Sequence, residues 1–276
     1  MRKTLAFLLP FFWLTLPAQL HSQEGEPREL FSKAYALFSQ GNLSQAKELF
    51  LKTLEIESPL EDYSLYFLGM IFFDRDELGS ARNYFAQLKQ RFPQSVWSSY
   101  AELQLAKISL AEKNYQQATQ ELRALRVQEA SKREISDEAL YLLAQVHEVQ
   151  RELKEAYSLY QALRHTLPLS PWAAKARKDV KRLRKQHPQL FALTTPVALS
   201  DEGELLLRER EYQEAERVYR KLLDRVPQGS LRPSFLMGLA NVYRGSRKRE
   251  KTISVLAKIE REYPESPEAP NSLYRR

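Results

Sequence analysis

The sequence predicts an all-α solenoid of about six helix-turn-helix repeats, and three observations lead there. A pair of small residues 12 positions apart recurs six times along the chain. A proline follows most of these units at a fixed offset. Only 8 of the 276 residues are glycine, while Leu, Ala, Glu, Gln, Arg and Lys dominate. Those six lose least on entering a helix, and scarce glycine argues against sheets and glycine-loop enzymes. A fixed internal period argues for stacked units rather than one globular layer packing.

The chain opens on Arg2 and Lys3, then an apolar run from Leu5 to Leu16 that includes Phe7, Phe11, Phe12 and Trp13, then polar residues from Gln19 to Glu26. This is the layout of a secretory signal peptide, taken here as residues 1–22, with cleavage after Ala18 or after Ser22; the alternative is an uncleaved N-terminal anchor. Pro10 and Pro17 break a run that also falls short of the roughly 18 to 20 residues a membrane span needs. The expected compartment is the periplasm. With no cysteine there is no disulfide, no thiolate zinc site, no Cys nucleophile and no lipoprotein anchor. Loss of Arg2 and Lys3 lowers the net charge from +7 to +5, which favours acidic partners such as anionic lipid or cell-wall material. Nucleic acid is not expected of an exported chain.

The small pairs are Ala34 and Ala46, Gly69 and Ala81, Ala106 and Ala118, Ala144 and Ala156, Gly203 and Ala215, and Ala240 with Thr252. Antiparallel helices approach closely where small residues sit. Four residues after each second member comes a large one, namely Phe50, Phe85, Leu122, Tyr160, Tyr219 and Leu256, placed to plug the gap towards the next helix. Pro93, Pro168, Pro227 and Pro264 then stop the second helix; Pro59 comes one residue late, and Ala130 replaces proline in the third copy. Turns are expected at Gln40-Gly41-Asn42, Asp76 to Gly79, Lys113-Asn114-Tyr115 and Gly245-Ser246.

These positions carry a resemblance. Leu65, Leu68-Gly69, Phe72, Ala81, Phe85 and Pro93 resemble the tetratricopeptide repeat (TPR) almost position for position. The fourth copy (Leu140, Leu143-Ala144, His147, Ala156, Tyr160, Pro168) and the sixth (Leu236, Leu239-Ala240, Tyr243, Thr252, Leu256, Pro264) follow it closely. The resemblance implies a TPR-type α-solenoid whose first helices line a concave groove for protein partners.

Successive second members step by 35, 37, 38, 59 and 37 residues, so the fourth gap holds an insertion. The division expected is repeats 1–4 over residues 27–168, an inserted basic helix and loop over 169–195, repeats 5–6 over 196–265, and the start of a further helix over 266–276. Ser170-Pro171 starts the inserted helix as cap and first-turn proline. Ala173, Ala176, Val180 and Leu183 give it an apolar stripe, and a loop is expected from about Gln186 through Pro188 and Pro196. This insertion is the expected joint between two sub-arrays. Ser266-Pro267-Glu268-Ala269 repeats the opening of a helix, and the expectation is that a longer protein continues beyond it.

Two surfaces are candidate sites. The first is the stripe at −3, +1 and +4 from the small residue of each first helix: Phe31, Tyr35 and Phe38, then Tyr66, Met70 and Phe73. It continues more polar, through Lys107 and Tyr141. Such a row either binds a partner in the groove or packs on neighbouring helices. The second is the basic side of the inserted helix, Lys175, Lys178, Lys181, Arg182 and Lys185 with Arg177 and Arg184, opposed only by Asp179. It reads either as a docking patch for anionic lipid or peptidoglycan or as a solvated helix face. No catalytic motif is found. His21, His147, His165 and His187 form no ligand set, no phosphate loop or nucleophile elbow occurs, and neither metal nor cofactor is expected.

Several phrases resemble the helical N-terminal region of soluble lytic transglycosylases, periplasmic enzymes that cleave the cell wall. They are Leu60 to Gly69, Arg91 to Trp97, Arg210 to Ala215 and Glu262 to Pro270. That family cleaves glycan with a Glu in a Glu-Ser context beside a Gly-Leu-Met-Gln motif. Here that motif is missing, and Glu57-Ser58 and Glu265-Ser266 fall in turns between repeats. The resemblance therefore implies a non-catalytic scaffold, or the non-catalytic front of such an enzyme.

Overall fold

The computed structural model describes residues 21–128 and 133–269. Most of the expected signal peptide, the variant Ala130 and residues 270–276 of the expected further helix lie outside them. Among the described residues every regular element is helical. Six antiparallel pairs follow one another: α1 (His21–Ser39) with α2 (Leu43–Leu54), α3 (Glu61–Asp74) with α4 (Leu78–Arg91), and α5 (Ser98–Ala111) with α6 (Tyr115–Gln128). Next come α7 (Arg133–Val149) with α8 (Leu153–Thr166), α11 (Pro196–Arg208) with α12 (Tyr212–Arg225), and α13 (Arg232–Gly245) with α14 (Arg249–Glu262). Between the fourth and fifth pairs stand α9 (Pro171–Gln186) and the short α10 (Pro188–Phe191). The chain forms two compact units that meet within α7, at Ala139 and Leu140.

One turn joins the helices of every pair. Gly41, Asp76, Lys113, Arg151, Arg210 and Arg247 all take a left-handed backbone, with φ between 59° and 83°. Each stands five residues before the second small residue of its repeat. The next residue's N–H bonds back over the turn, as from Asn42 to the Leu37 carbonyl at 2.9 Å and from Lys248 to the Tyr243 carbonyl at 2.8 Å, so the last carbonyls of the first helix are satisfied. Only the first of the six is glycine. The other five hold a side chain where one costs about 1–2 kcal/mol.

The small residues and the plugs meet as their spacing requires. Ala34, Ala46, Ala81, Ala106, Ala118, Ala144, Ala156 and Ala215 are fully buried, and so are Phe50, Phe85 and Leu122. A Cβ added at Gly69 would lie 2.6 Å from the Phe85 ring. The Tyr219 ring fills two such gaps. It lies 2.9 Å from where a Cβ on Gly203 would stand, and closer still to one on Gly238. It thus locks α11 to α13 through α12.

At the insertion, the Ser170 hydroxyl accepts from the Trp172 N–H at 3.2 Å and caps α9. Ala173, Ala176, Val180 and Leu183 pack with Tyr160 and Leu163 of α8. The stretch expected as plain loop contains α10, because Pro188 presets a helical φ and Phe191 is apolar enough to be buried. The Phe191 ring stacks on Tyr157 at 4.3 Å. Thr195 caps α11 by accepting from the Ala198 N–H at 3.1 Å.

The direction of α11 follows from its contacts. Arg177 and Arg184, in order along α9, reach Glu209 and Glu202, in reverse order along α11. Arg208 at the end of α11 donates to the His165 carbonyl at the end of α8, 2.7 Å away. Thus α11 is antiparallel to α9 and parallel to α8. A first helix after the insertion runs as a second helix did before it, so the turns within pairs five and six lie at the opposite edge from the turn within pair four.

Candidate partner-binding surfaces

In the first unit the aromatic stripe is half packing and half surface. α3 is apolar over most of its surface, and neighbouring helices bury Leu65 to Gly69 and Ile71. Its Phe67 is the hub: Phe31, Tyr35, Phe38, Phe50, Tyr66 and Trp97 all place rings within 6.0 Å of it. Tyr66 stacks on Trp97 at 4.4 Å and is buried, and burial pushes its hydroxyl up to about 12. Phe31, Tyr35, Phe38, Met70 and Phe73 remain half-buried, packed along one flank and open on the other. Lys107 is ion-paired with Glu138 at 2.6 Å.

Tyr141, expected in the same stripe, belongs to the second unit. Its hydroxyl donates to Asp179 of α9 at 2.8 Å, its ring meets Trp172, and burial is the main force raising its pKa. His147 is buried and faces Glu152 at the start of α8, a packing role matching that of Phe72 and Tyr243 in sister repeats.

The basic stripe of α9 divides into three. Arg177, Lys181 and Arg184 turn to the carboxylates of α11 and α12: Arg177 to Glu209 and Glu211, Lys181 to Glu214, and Arg184 to Glu202. On the other side Arg182 grips Glu148 of α7 with two bonds of 2.7 and 2.8 Å and also holds Asp179, which keeps the Glu148 carboxyl below its usual value. The crest keeps Lys175, Lys178 and Lys185 exposed, with Lys175 lying 3.5 Å over the Trp172 ring. Lys178 and Lys185 have no ion-pair partner among the described residues.

At the centre of this joint sits a group that sequence reasoning missed. Arg164 of α8 is fully buried. It binds Glu209 through Nε at 2.8 Å and Nη2 at 3.0 Å, Glu202 through Nη2 at 2.8 Å and Nη1 at 3.2 Å, and Gln161 through Nη1 at 2.9 Å. All five N–H donors are used. Burial opposes charge on Arg164, but the two glutamates outweigh it and raise its pKa. Burial likewise pushes Glu202 up, while Arg164 and Arg184 pull it below its usual value, and they prevail. In sequence Arg164 is one more charged helix residue, and its partners stand 38 and 45 positions away. No sequence signal marks it: it stands four residues after the Tyr160 plug, where sister repeats carry Lys89 and Glu260 as well as Leu54 and Leu223.

Among the described residues no three His, Cys, Asp or Glu side chains gather as a metal site, and no helix is long and apolar enough to cross a membrane. Glu57 and Glu265 are exposed in turns, as their place between repeats required.

A family model matches the sequence over the first two and the last two helix pairs. The tetratricopeptide repeat matches residues 31–96 and 200–267. The chain is a tetratricopeptide repeat protein. No curated protein matches it in sequence. Among solved structures it is similar to a TPR protein from Parabacteroides merdae, 17% identical over 87% of this chain and 80% of that one, with a TM-score of 0.46. It is also similar to PilF of Pseudomonas aeruginosa, at 17% identity, 92% and 99% coverage and a TM-score of 0.44. A third is YrrB, described as a TPR protein with an unusual peptide-binding site, at 15% identity, 78% and 94% coverage and a TM-score of 0.43. TPR proteins are in general non-catalytic scaffolds for protein–protein interaction, and the family matched is that of the repeat itself, not of a transglycosylase.

Proposed function

We propose that this TPR protein is a non-catalytic scaffold of the bacterial periplasm that holds a protein partner along the first helices of its first two repeats. The observation that carries this is the open flank of Phe31, Tyr35, Phe38, Met70 and Phe73. A partner would complete the burial of five large apolar side chains already packed along their other flank, Phe31, Tyr35 and Phe38 against Phe67 itself. Rigid aromatic and Met anchors supply binding area at small entropic cost. The Arg2-Lys3 start, the apolar run after it and the transglycosylase-like phrases support the compartment.

A photo-crosslinking residue at Phe38 or Phe73, in cells, tests the surface. A discrete protein adduct from both positions, and none from exposed Leu190 of α10, is the expected result. No adduct at the stripe would overturn the reading. Fractionation, with mass spectrometry of the mature N-terminus, tests the compartment: release with the periplasm and loss of residues up to Ala18 or Ser22 are expected. A second reading, docking on peptidoglycan or an anionic lipid surface, is favoured by the free crest of Lys175, Lys178 and Lys185. It predicts cosedimentation with insoluble peptidoglycan that Lys178→Glu/Lys185→Glu abolishes.

A further inference from the structure

Besides the crest of α9, a second cluster of positive charge in the second unit lies on two turns. Arg208, Arg210, Arg244, Arg247, Lys248, Arg249 and Lys251 cluster on the α11–α12 and α13–α14 turns and the helix ends beside them. The two turns are neighbours: Gly245 presses against the Tyr212 ring, and Lys248 reaches Glu216 of α12 at 3.0 Å. Three carboxylates that could neutralise this edge are taken, while Glu250 stands exposed between Arg249 and Lys251. Glu209 is buried on Arg164 and Arg177, Glu211 is paired with Arg177, and Glu214 with Lys181. The inserted helix thus uses its own cations to remove acid from α11 and α12, and leaves the turns positive. The side chains of Arg210, Arg247 and Arg249 are exposed and have neither hydrogen-bond nor ion-pair partner among the described residues. Two of them, Arg210 and Arg247, occupy left-handed positions where glycine would be more stable.

We propose that this edge, centred on Arg210, Arg247 and Arg249, docks an acidic segment of a protein partner. It rests on the reading of the chain as a protein scaffold only for the class of partner, since the surface is not the aromatic stripe. Arginines held on separate, protruding turns suit carboxylates spaced along a chain, each gripped by a planar fork. Among the described residues the large apolar side chain that protrudes beside them is Ile253, one turn along α14 from Arg249, and a single such side chain offers little apolar area for insertion into a bilayer.

The test uses the mature chain and a fluorescein-labelled oligo-glutamate peptide, read by anisotropy at low salt. Arg210→Gly/Arg247→Gly/Arg249→Gln removes three charges and puts glycine where the backbone already suits it, so the variant is expected to stay folded and melt no lower than the parent. Its affinity should fall by about tenfold, the combined effect of several exposed ion pairs. Lys175→Gln/Lys178→Gln/Lys185→Gln removes the same charge from α9 and should change affinity by no more than about twofold. Equal losses in both variants would reduce the effect to net charge and overturn the proposal, as would a parent chain that does not bind the peptide. Phosphatidylglycerol vesicles bound through these arginines, with no peptide binding, would overturn it in favour of a membrane. None of these results depends on the crosslinking at Phe38 and Phe73, so the two readings fail separately.

Discussion

The first unit and the insertion in the second solve one problem with opposite materials. Both must join neighbouring helix pairs that share a single spacing rule. In the first unit Phe67 gathers six rings and the joint is apolar. At the insertion the apolar cluster of α7 to α10 and that of α11 to α14 are separate, and between them lie Arg164, Arg177 and Arg184 with Glu202 and Glu209. A regular repeat supplies a plug to the next first helix. The inserted helix breaks that succession and turns α11 round, so no plug is in register. Long side chains with buried charge span the gap instead. An apolar joint tolerates changes of pH; an ionic one does not.

The sharpest way to break the comparison is to remove one charge from the buried joint. Arg164→Met leaves Glu202 and Glu209 buried without their shared buried partner, held only by Arg184 and Arg177 at the side, and should cost about 3–5 kcal/mol in urea unfolding. Adding Glu202→Gln and Glu209→Leu should recover most of that loss, because buried ion networks are often replaceable by apolar groups of similar size. If Arg164→Met cost no more than a surface substitution, the joint would not be ionic.

Acid should separate the two regions next. Glu202 and Glu148 have their carboxyls held below the usual glutamate value by arginine. A depressed folded pKa contributes stability that is present above the unfolded value and is lost as pH falls through the folded one. The ionic joint is therefore expected to weaken below about pH 4.5, while the Phe67 cluster has no carboxylate to lose. Trp172 lies on α9 and Trp97 in the first unit, so in the mature chain Trp97→Phe and Trp172→Phe each leave one reporter. On acidification the Trp172 signal should move first. Coincident transitions would contradict the contrast.

How far each region was legible follows from the range of its signals. The small pairs and their plugs lie within 16 residues of each other, so every helix pair could be read off the chain, and Ser170-Pro171 announced α9. The stripe of Phe31, Tyr35 and Phe38 was legible as a row but not as a packed one, since its hub, Phe67, sits between the recurring positions. The basic stripe of α9 was visible, yet its neutralisation was not: Glu209, Glu211 and Glu214 stand more than 30 residues away, and α11 had to be turned round to meet it. Four of the six turns were legible, but their left-handed backbone was hidden by chemistry. Glycine marks such a position, and five of six copies lack it. Phe191 was lost in a stretch whose two prolines, Pro188 and Pro196, suggested only loop.

Tyr219 sharpens the comparison from the other side, because it is a plug that holds on its own. It fills both Gly203 and Gly238, and a methyl group at Gly238 would collide with the ring. Gly238→Ala should cost about 1–3 kcal/mol as overpacking, more than Gly79→Ala in α4, where nothing lies within 4 Å and alanine should stabilise the helix.

The smallest effect runs in the opposite direction and concerns the turns that both regions share. Arg151 has φ of 67° and is exposed at the tip between α7 and α8. Arg151→Gly relieves the left-handed strain, though the freer unfolded chain takes back part of the gain. The net expectation is stabilisation of about 0.5–1 kcal/mol, seen as a higher urea midpoint with an unchanged slope. Gly41→Ala, the reverse change at the same turn of the first pair, should destabilise by a similar amount. If the two substitutions shifted the midpoint in the same direction, the six turns would not share one backbone, and the repeat would end at its helices.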